Sequence, residues 1–135
     1  MMLSQSVKIK DQNLAQNSKL EVKYRAFYLS LKIIKFLENL STKQSLRIIN
    51  DQLIRSVTSI GANIVEAKSS ASKREFLNYF QIALKSANET KYWLALLKEL
   101  SVNNADKIQY FLNETTEIAK IIGSSVLTLK GKTKL

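Results

Sequence analysis

The chain contains no proline and only three glycines among its 135 residues. Proline removes a backbone donor and clashes with the preceding turn of a helix, and proline and glycine together mark most turns. Their scarcity therefore favours long helices joined by short polar loops. With 45% apolar residues, a chain of this length can enclose one hydrophobic core. The sequence predicts an all-α protein with a single folded domain.

Helix start signals recur at regular intervals along the chain. In the capping box, a Ser hydroxyl accepts from one free N–H of the first turn and a Glu or Gln side chain reaches back to another. Three segments match this motif, and a pair of asparagines offers a weaker fourth start. They are Ser18–Glu21, Ser41–Gln44, Ser72–Glu75 and Asn103-Asn104. The signals predict helices at about residues 19–40, 42–68, 73–101 and 104–129.

Behind each start signal, apolar residues recur every three or four positions. The stripe of the first predicted helix consists of Val22, Ala26, Leu29, Ile33, Phe36 and Leu40. A period near 3.5 residues, combined with short loops, predicts an up-down-up-down antiparallel four-helix bundle over residues 18–129. Residues 1–17 lack this period and predict a flexible N-terminal tail, and residues 130–135 predict a loose basic C-terminal tail.

Two of the predicted helices carry a second apolar line. The first helix has Tyr24, Phe27, Leu31 and Ile34, and the third has Tyr79, Ile82, Trp93, Leu96 and Leu100. A helix that is apolar beyond its inward face often has a second partner. A wide core face in a small bundle would give the same pattern, so self-association and a wide core remain two open interpretations.

The formal net charge is +10, and the basic excess is spread over the whole chain. This charge favours an anionic partner, nucleic acid above all, while a lysine-rich surface that serves solubility is the alternative. The first residues turn polar too soon for a secretory signal, and no run of about 18 apolar residues occurs. The sequence therefore predicts a cytoplasmic protein with no membrane partner.

Catalytic residue types are scarce. The chain has no His and no Cys, so the commonest general base, the thiol nucleophile and the nitrogen and sulfur metal ligands are missing. Three dispersed glycines cannot form a loop that cradles phosphate. Glu114 and Glu117 share one helical face, which predicts solvent-exposed surface rather than a catalytic pair. We predict that the protein is not an enzyme and uses neither a cofactor nor a metal.

The second predicted helix carries a polar stripe of unusual composition. Its members are Gln52, Ser56, Ser59, Asn63 and Glu66. Gly61, Ala62 and Ala67 flank the stripe, and small residues let another helix approach while short polar side chains hydrogen-bond across the contact. The pattern predicts a buried or interfacial polar network, which Arg55 and Glu89 complete.

The register of the second and third helices follows from the position of their loop. In an antiparallel hairpin turning near residues 69–72, level positions have residue numbers that sum to about 141, because both helices rise equally per residue. Ser59 is then level with Ile82, and Glu89 lies within one turn of Arg55. We predict a partly buried Arg55–Glu89 ion pair, so that Glu89→Ala destabilises more than Glu114→Ala on an exposed face.

One stretch of the chain resembles a known family. It comprises Gln52–Ala67, Ser72–Phe76, Ile82–Glu89 and Tyr92-Trp93. These residues closely resemble the four-helix-bundle family of proteins encoded in intervening sequences of bacterial 23S rRNA genes, and also the accessory protein of diversity-generating retroelements. The resemblance covers about residues 20–128 and is most specific at 52–93. It implies a homopentamer with a basic surface, and nucleic acid or a reverse transcriptase as partner in the retroelement branch.

Charge and resemblance together predict a non-catalytic, pentameric scaffold that binds nucleic acid, above all RNA, through a distributed basic surface. The candidate contact face on the first helix, away from its core stripe, consists of Arg25, Tyr28, Lys32 and Lys35. Its predicted extension consists of Lys73, Arg74, Lys130, Lys132 and Lys134. These cations would hold phosphates without reading bases. The alternatives are a protein–protein adaptor, for example for a reverse transcriptase, and an ordinary solvated face.

Overall fold

The structure, a computed structural model, describes residues 20–40 and 43–133. Its helices are α1 (Val22–Leu37), α2 (Gln44–Lys68), α3 (Lys73–Leu100) and α4 (Ala105–Thr133), with a 3-10 turn at Val102–Asn104. Within the described residues there is no strand. Each helix packs against the next, and α4 returns to contact α1. The predicted all-α, antiparallel four-helix bundle is confirmed.

The helix starts differ in how they are capped. At α3 the Ser72 half of the predicted capping motif forms, because Ser72 Oγ accepts from Glu75 N at 3.1 Å, whereas Glu75 Oε1 accepts at 3.3 Å from the N–H of Ala71, one residue before the cap. Helices α1 and α2 begin later than predicted, after Glu21 and Lys43, and neither of these side chains caps its helix. The predicted caps Ser18 and Ser41 lie outside the described residues, as does the predicted tail at 1–17.

Helix α4 is longer than the sequence indicated. It runs through Thr133, so residues 130–133 are helical and not part of a loose tail. Helix formation continues there because no proline follows, and Gly131 does not adopt the left-handed conformation that would end a helix. The last turns of α4 therefore extend alongside the loop between α2 and α3.

The core lies between the four helices and follows the predicted stripes. Its largest fully buried side chains include Leu29, Leu53, Ile60, Leu94, Phe111 and Ile122. The ring of Phe111 on α4 meets Phe36 of α1 edge-on, with centroids 5.4 Å apart. Each such side chain contributes about 1.5–3 kcal/mol by leaving water.

Among the described helices, none has the length of apolar sequence that crossing a bilayer requires.

Helices α1 and α2 approach each other at a glycine. A Cβ atom placed on Gly61 would lie 3.5 Å from the Cβ of Ala26, which is ordinary van der Waals contact. One turn away, Ser30 Oγ donates to the carbonyl of Val57 at 3.1 Å. The small residue that was predicted to admit a neighbouring helix thus faces α1.

Candidate nucleic-acid interface

The first residue of the predicted contact face, Arg25, lies inside the bundle. It is 5% exposed, and its guanidinium donates from Nε to Glu114 Oε2 at 3.0 Å and from Nη2 to Glu114 Oε1 at 2.7 Å. The Glu114 side chain is 14% exposed. Hydrogen bonding to Glu114 raises the pKa of Arg25, while burial opposes the rise. The predictions that Arg25 faces a phosphate-binding surface and that Glu114 is exposed are therefore wrong.

The rest of this face is divided between interior and surface. Tyr28 is buried, and the prediction that it lies between exposed cations is wrong. Lys32 is half-buried, and its Nζ donates to the Tyr110 hydroxyl at 3.3 Å. Lys35 is exposed. The physical reason is that α1 packs against both α2 and α4, so the side of α1 next to its core stripe is covered by α4.

Four exposed cations instead gather at one end of the bundle, where α2 leads into α3. Lys68 ends α2, Lys73 and Arg74 begin α3, and Lys130 lies in the last turns of α4. Antiparallel packing brings these segments together, and Leu129 lines the same depression as Lys73. We term Lys68, Lys73, Arg74 and Lys130 the basic end.

The structure therefore groups three of the predicted contact residues, Lys73, Arg74 and Lys130, and separates them from Lys35. Lys35 lies near the C-terminus of α1, at the opposite end of the bundle. The side chain of Lys132 and the whole of Lys134 lie outside the described residues. Lys68 was not predicted, although its position two turns after the small residues of α2 and just before a polar loop was a usable signal.

An apolar groove lies beside Lys68 and Lys73 of the basic end. It consists of two adjoining depressions of about 380 and 330 Å³, which share Lys68, Phe76 and Leu129. The rings of Phe76 and Phe80 stack with centroids 4.8 Å apart and an interplanar angle of 23°. The remaining lining consists of Ala67, Ser70, Ala71, Ser72, Lys73, Ser124, Ser125 and Thr128. No carboxylate occurs among these lining residues. We term this feature the end groove.

The electrostatics of the basic end conflict with helix stability. The N-terminus of a helix is the positive end of its dipole, and a cation there is unfavourable by about 0.3–1 kcal/mol. Helix α3 nevertheless begins with Lys73 and Arg74, and only Glu75 in the same turn offsets them. Local conflicts of this kind concentrate at functional sites.

Within the described ranges, no group of three or more acidic side chains is placed to hold a metal ion.

The predicted polar network lies between α2 and α3. Ser56 Oγ is 3.0 Å from Thr90 Oγ1, and Ser59 Oγ is 2.9 Å from Ser86 Oγ. Asn63 Nδ2 donates to the Oγ atom of Ser59 at 3.0 Å. We term Ser56, Ser59, Ser86 and Thr90 the hydroxyl ladder.

The two ends of the predicted network differ from its centre. Glu66 is exposed, so its predicted place in a buried network is wrong, because the stripe turns away from α3 toward the end of α2. Gln52 accepts a hydrogen bond from Arg55 of its own helix. Arg55 Nη2 also lies 3.5 Å from Glu89 Oε2, with the two side chains 70% and 42% exposed. The predicted ion pair is thus confirmed, but its predicted burial is wrong.

The contacts of the hydroxyl ladder also correct the register. Ser59 meets Ser86 rather than the level of Ile82, a shift of one turn. Each side chain tilts toward the N-terminus of its own helix. In an antiparallel pair, two side chains at the same height therefore tilt in opposite directions along the bundle axis. Side chains that touch therefore have Cα atoms at different heights.

The fold defines a class of small antiparallel four-helix bundles with long helices. A model of the 23S rRNA-intervening sequence protein family matches residues 18–124. The match spans most of the chain, and the protein belongs to this family.

One solved structure is similar to this chain in sequence and in fold. A crystal structure of a protein with unknown function from the S23 ribosomal protein family, from Bacteroides thetaiotaomicron, is 37% identical and superposes with a TM-score of 0.72. The alignment covers 78% of this chain and 98% of that one. A comparison with curated proteins gives no significant match. The resemblance to the accessory protein of diversity-generating retroelements stays a prediction.

Proposed function

We propose that the protein is a non-catalytic, homo-oligomeric scaffold that binds RNA, chiefly through its basic end. The observation that carries the proposal is the convergence of Lys68, Lys73, Arg74 and Lys130 at one end of the bundle, in a chain of net charge +10. Phosphate neutralisation needs no sequence reading, and such a cluster attracts any polyanion. RNA is favoured among polyanions because the family takes its name from intervening sequences of 23S rRNA.

Self-association is the second part of the proposal. Several large apolar side chains are exposed, and two of them, Ile82 at 37% and Leu100 at 54%, belong to the second apolar line of α3. A second copy of the chain is the partner that this line fits. An assembly, for which five copies are expected, repeats the basic end and lets one RNA contact several copies. Native mass spectrometry at micromolar concentration should show the oligomer, and a monomer alone would contradict it.

RNA binding is tested by exchanging cations at the basic end for neutral residues. Together, Lys68→Gln, Lys73→Gln and Arg74→Gln should weaken binding to unrelated RNA sequences by similar factors. The plot of log affinity against log salt should flatten by about 0.7 for each phosphate of a single strand that the variant no longer neutralises. Fluorescence anisotropy of labelled RNA over a salt series measures both effects.

A matched control carries the same change of charge at other places. Arg47, Lys85 and Lys120 are exposed and lie outside the basic end, so their replacement by Gln should weaken binding less. Equal losses of affinity in the two variants would contradict a localised interface. If the protein does not bind RNA but keeps a protein partner bound at high salt, the adaptor function is favoured instead.

A further inference from the structure

We infer that the end groove holds one unpaired nucleotide of a single-stranded RNA, with the base against Phe76 and the adjoining phosphates on Lys68 and Lys73. The inference rests on the proposed RNA binding and deepens it, because it names the form of RNA that the basic end accepts. The two depressions that form the groove have volumes of about 380 and 330 Å³. Both depressions are shallow and open to solvent, so they suit a group that a surface-bound strand presents from outside.

The aromatic wall of the groove suits a base. Phe80 is 4% exposed and fixes the ring of Phe76 by stacking on it, whereas Phe76 is only half-buried and reaches the groove. A ring held in this way loses little conformational freedom when a base packs on it. Stacking on an aromatic side chain accepts every base, because every base has a π-face.

The charge of the groove suits a phosphate on either side of that base. Lys68 and Lys73 stand at the two ends of the connection between α2 and α3, and both line the groove. The remaining polar lining consists of Ser and Thr hydroxyls, which donate to phosphate and sugar oxygens as readily as they accept. No side-chain carboxylate lines the groove, and the carboxylate of Glu75 beside it is held by a hydrogen bond from the N–H of Ala71. An apolar floor between two cations therefore matches the alternation of base and phosphate.

The geometry of the groove also decides whether single-stranded or duplex RNA fits it. In an A-form duplex the bases are stacked on one another, so that their faces are closed to side chains. A duplex can touch Lys68 and Lys73 through its phosphates, but it cannot place a base against Phe76. Single-stranded RNA should therefore bind more tightly than a duplex, and only the single strand should respond to a change at Phe76.

The experiment compares Phe76→Leu with the unchanged full-length protein, using a short single-stranded RNA and a blunt-ended duplex made by annealing that strand to its complement. Leu keeps the apolar character and removes the π-face. Binding of the single strand should weaken by on the order of tenfold, and binding of the duplex should not change. Tyr92→Leu removes an exposed aromatic ring elsewhere on α3 and should change neither. Thermal unfolding checks that both variants fold.

Crosslinking gives a second readout that does not depend on any variant. A single 4-thiouridine in the bound strand should crosslink, on irradiation, to peptides that contain Phe76 or Leu129. Crosslinks confined to other surfaces would overturn the inference.

Each outcome separates the inference from the proposed function. If the unchanged protein binds RNA and Phe76→Leu binds the single strand equally well, the groove is not a nucleotide site, while RNA binding stands. If Phe76→Leu weakens binding of the blunt-ended duplex as much as binding of the single strand, base stacking is excluded. A polyglutamate peptide can be used as a competitor for the RNA. If it competes, and Phe76→Leu weakens binding of the peptide as much as binding of the single strand, the occupant of the groove is an acidic peptide. If the unchanged protein binds neither RNA, the proposed function fails and the inference fails with it.

Discussion

Two Arg–Glu pairs join helices of this bundle, and they differ in almost every physical respect. Arg25 and Glu114 connect α1 to α4 through two hydrogen bonds of 3.0 and 2.7 Å, and their side chains are 5% and 14% exposed. Arg55 and Glu89 connect α2 to α3 at 3.5 Å, with side chains 70% and 42% exposed. The residue types are the same, and the surroundings decide what each pair contributes.

The difference decides how much it costs to break each pair, because water can replace a lost partner only where it reaches the remaining charge. At the α2–α3 contact, water reaches both members of the Arg55–Glu89 pair, and the hydroxyl ladder provides further hydrogen bonds. At the α1–α4 contact, Arg25 would be left as an isolated charge if Glu114 were removed. A buried pair often adds little net stability, yet the removal of one partner is strongly unfavourable.

The largest effect is expected from Glu114→Ala. It should lower the free energy of unfolding by about 3 kcal/mol, at the low end of the range for buried pairs, because Glu114 retains some solvent contact. Urea unfolding at one fixed protein concentration measures this decrease, since assembly also changes apparent stability. Because the folded-state pKa of Arg25 is raised, the contribution that depends on its charge is complete at neutral pH and is lost as the pH rises into the strongly alkaline range.

Glu117→Ala is the control for this experiment. Glu117 is on the same helix, 55% exposed and 3.9 Å from Lys120, so its removal should cost less than about 0.5 kcal/mol. If the two variants unfold at the same urea concentration, the α1–α4 pair does not have the role assigned to it.

A middle-sized effect is expected from Thr90→Val in the hydroxyl ladder. Val keeps the shape of the buried side chain but removes the hydroxyl that contacts Ser86 O at 2.8 Å and Ser56 Oγ at 3.0 Å. The free energy of unfolding should fall by about 1 kcal/mol, as for a typical internal hydrogen bond. Thr116→Val, whose hydroxyl donates to Leu112 of its own helix, should cost less in the same unfolding assay. The reverse order would remove the hydroxyl ladder as a source of stability at the α2–α3 contact.

The smallest effect is expected from Glu89→Ala, which reverses the order that the sequence predicted for Glu89 and Glu114. An exposed pair contributes about 0.2–1 kcal/mol, and Trp93 Nε1, which donates to Glu89 at 3.0 Å, loses one partly buried hydrogen bond. A double-mutant cycle with Arg55→Ala isolates the pair. The coupling energy should fall between about 0.1 M and 1 M salt, because exposed charges are screened. A destabilisation as large as that of Glu114→Ala would show that another copy of the chain covers the pair.

The sequence predicted the helices and their core stripes because each depends on neighbours along one helix. It also predicted that Arg55 and Glu89 would meet, because the loop at 69–72 is short enough to fix the register within one turn. The Arg25–Glu114 pair could not be predicted in this way. Its members are 89 positions apart, so neither the period of one helix nor a loop length brings them together. Tyr28, an amphipathic side chain one turn from Arg25, was the available sign that this side of α1 is covered.

The basic end could be predicted only in part. Lys73 and Arg74 stood out as cations at a helix start, but Phe76 and Phe80 looked like ordinary members of a core stripe. Whether a stripe residue near a helix end is covered depends on where the neighbouring helices stop. The sequence predicted that α4 ends at residue 129, whereas the helix continues through Thr133. The end groove follows from these helix lengths and not from any motif.

The contact between α1 and α4 also has a consequence for the time course of folding. The α1–α2, α2–α3 and α3–α4 contacts each close a short loop, whereas the Arg25–Glu114 contact joins segments 89 positions apart. Contacts that close long loops cost more chain entropy and tend to form after local ones. A contact that forms after the transition state affects the unfolding rate and leaves the folding rate almost unchanged. Removal of the Glu114 carboxylate should therefore shorten the lifetime of the folded bundle while the chain still folds at nearly its original speed.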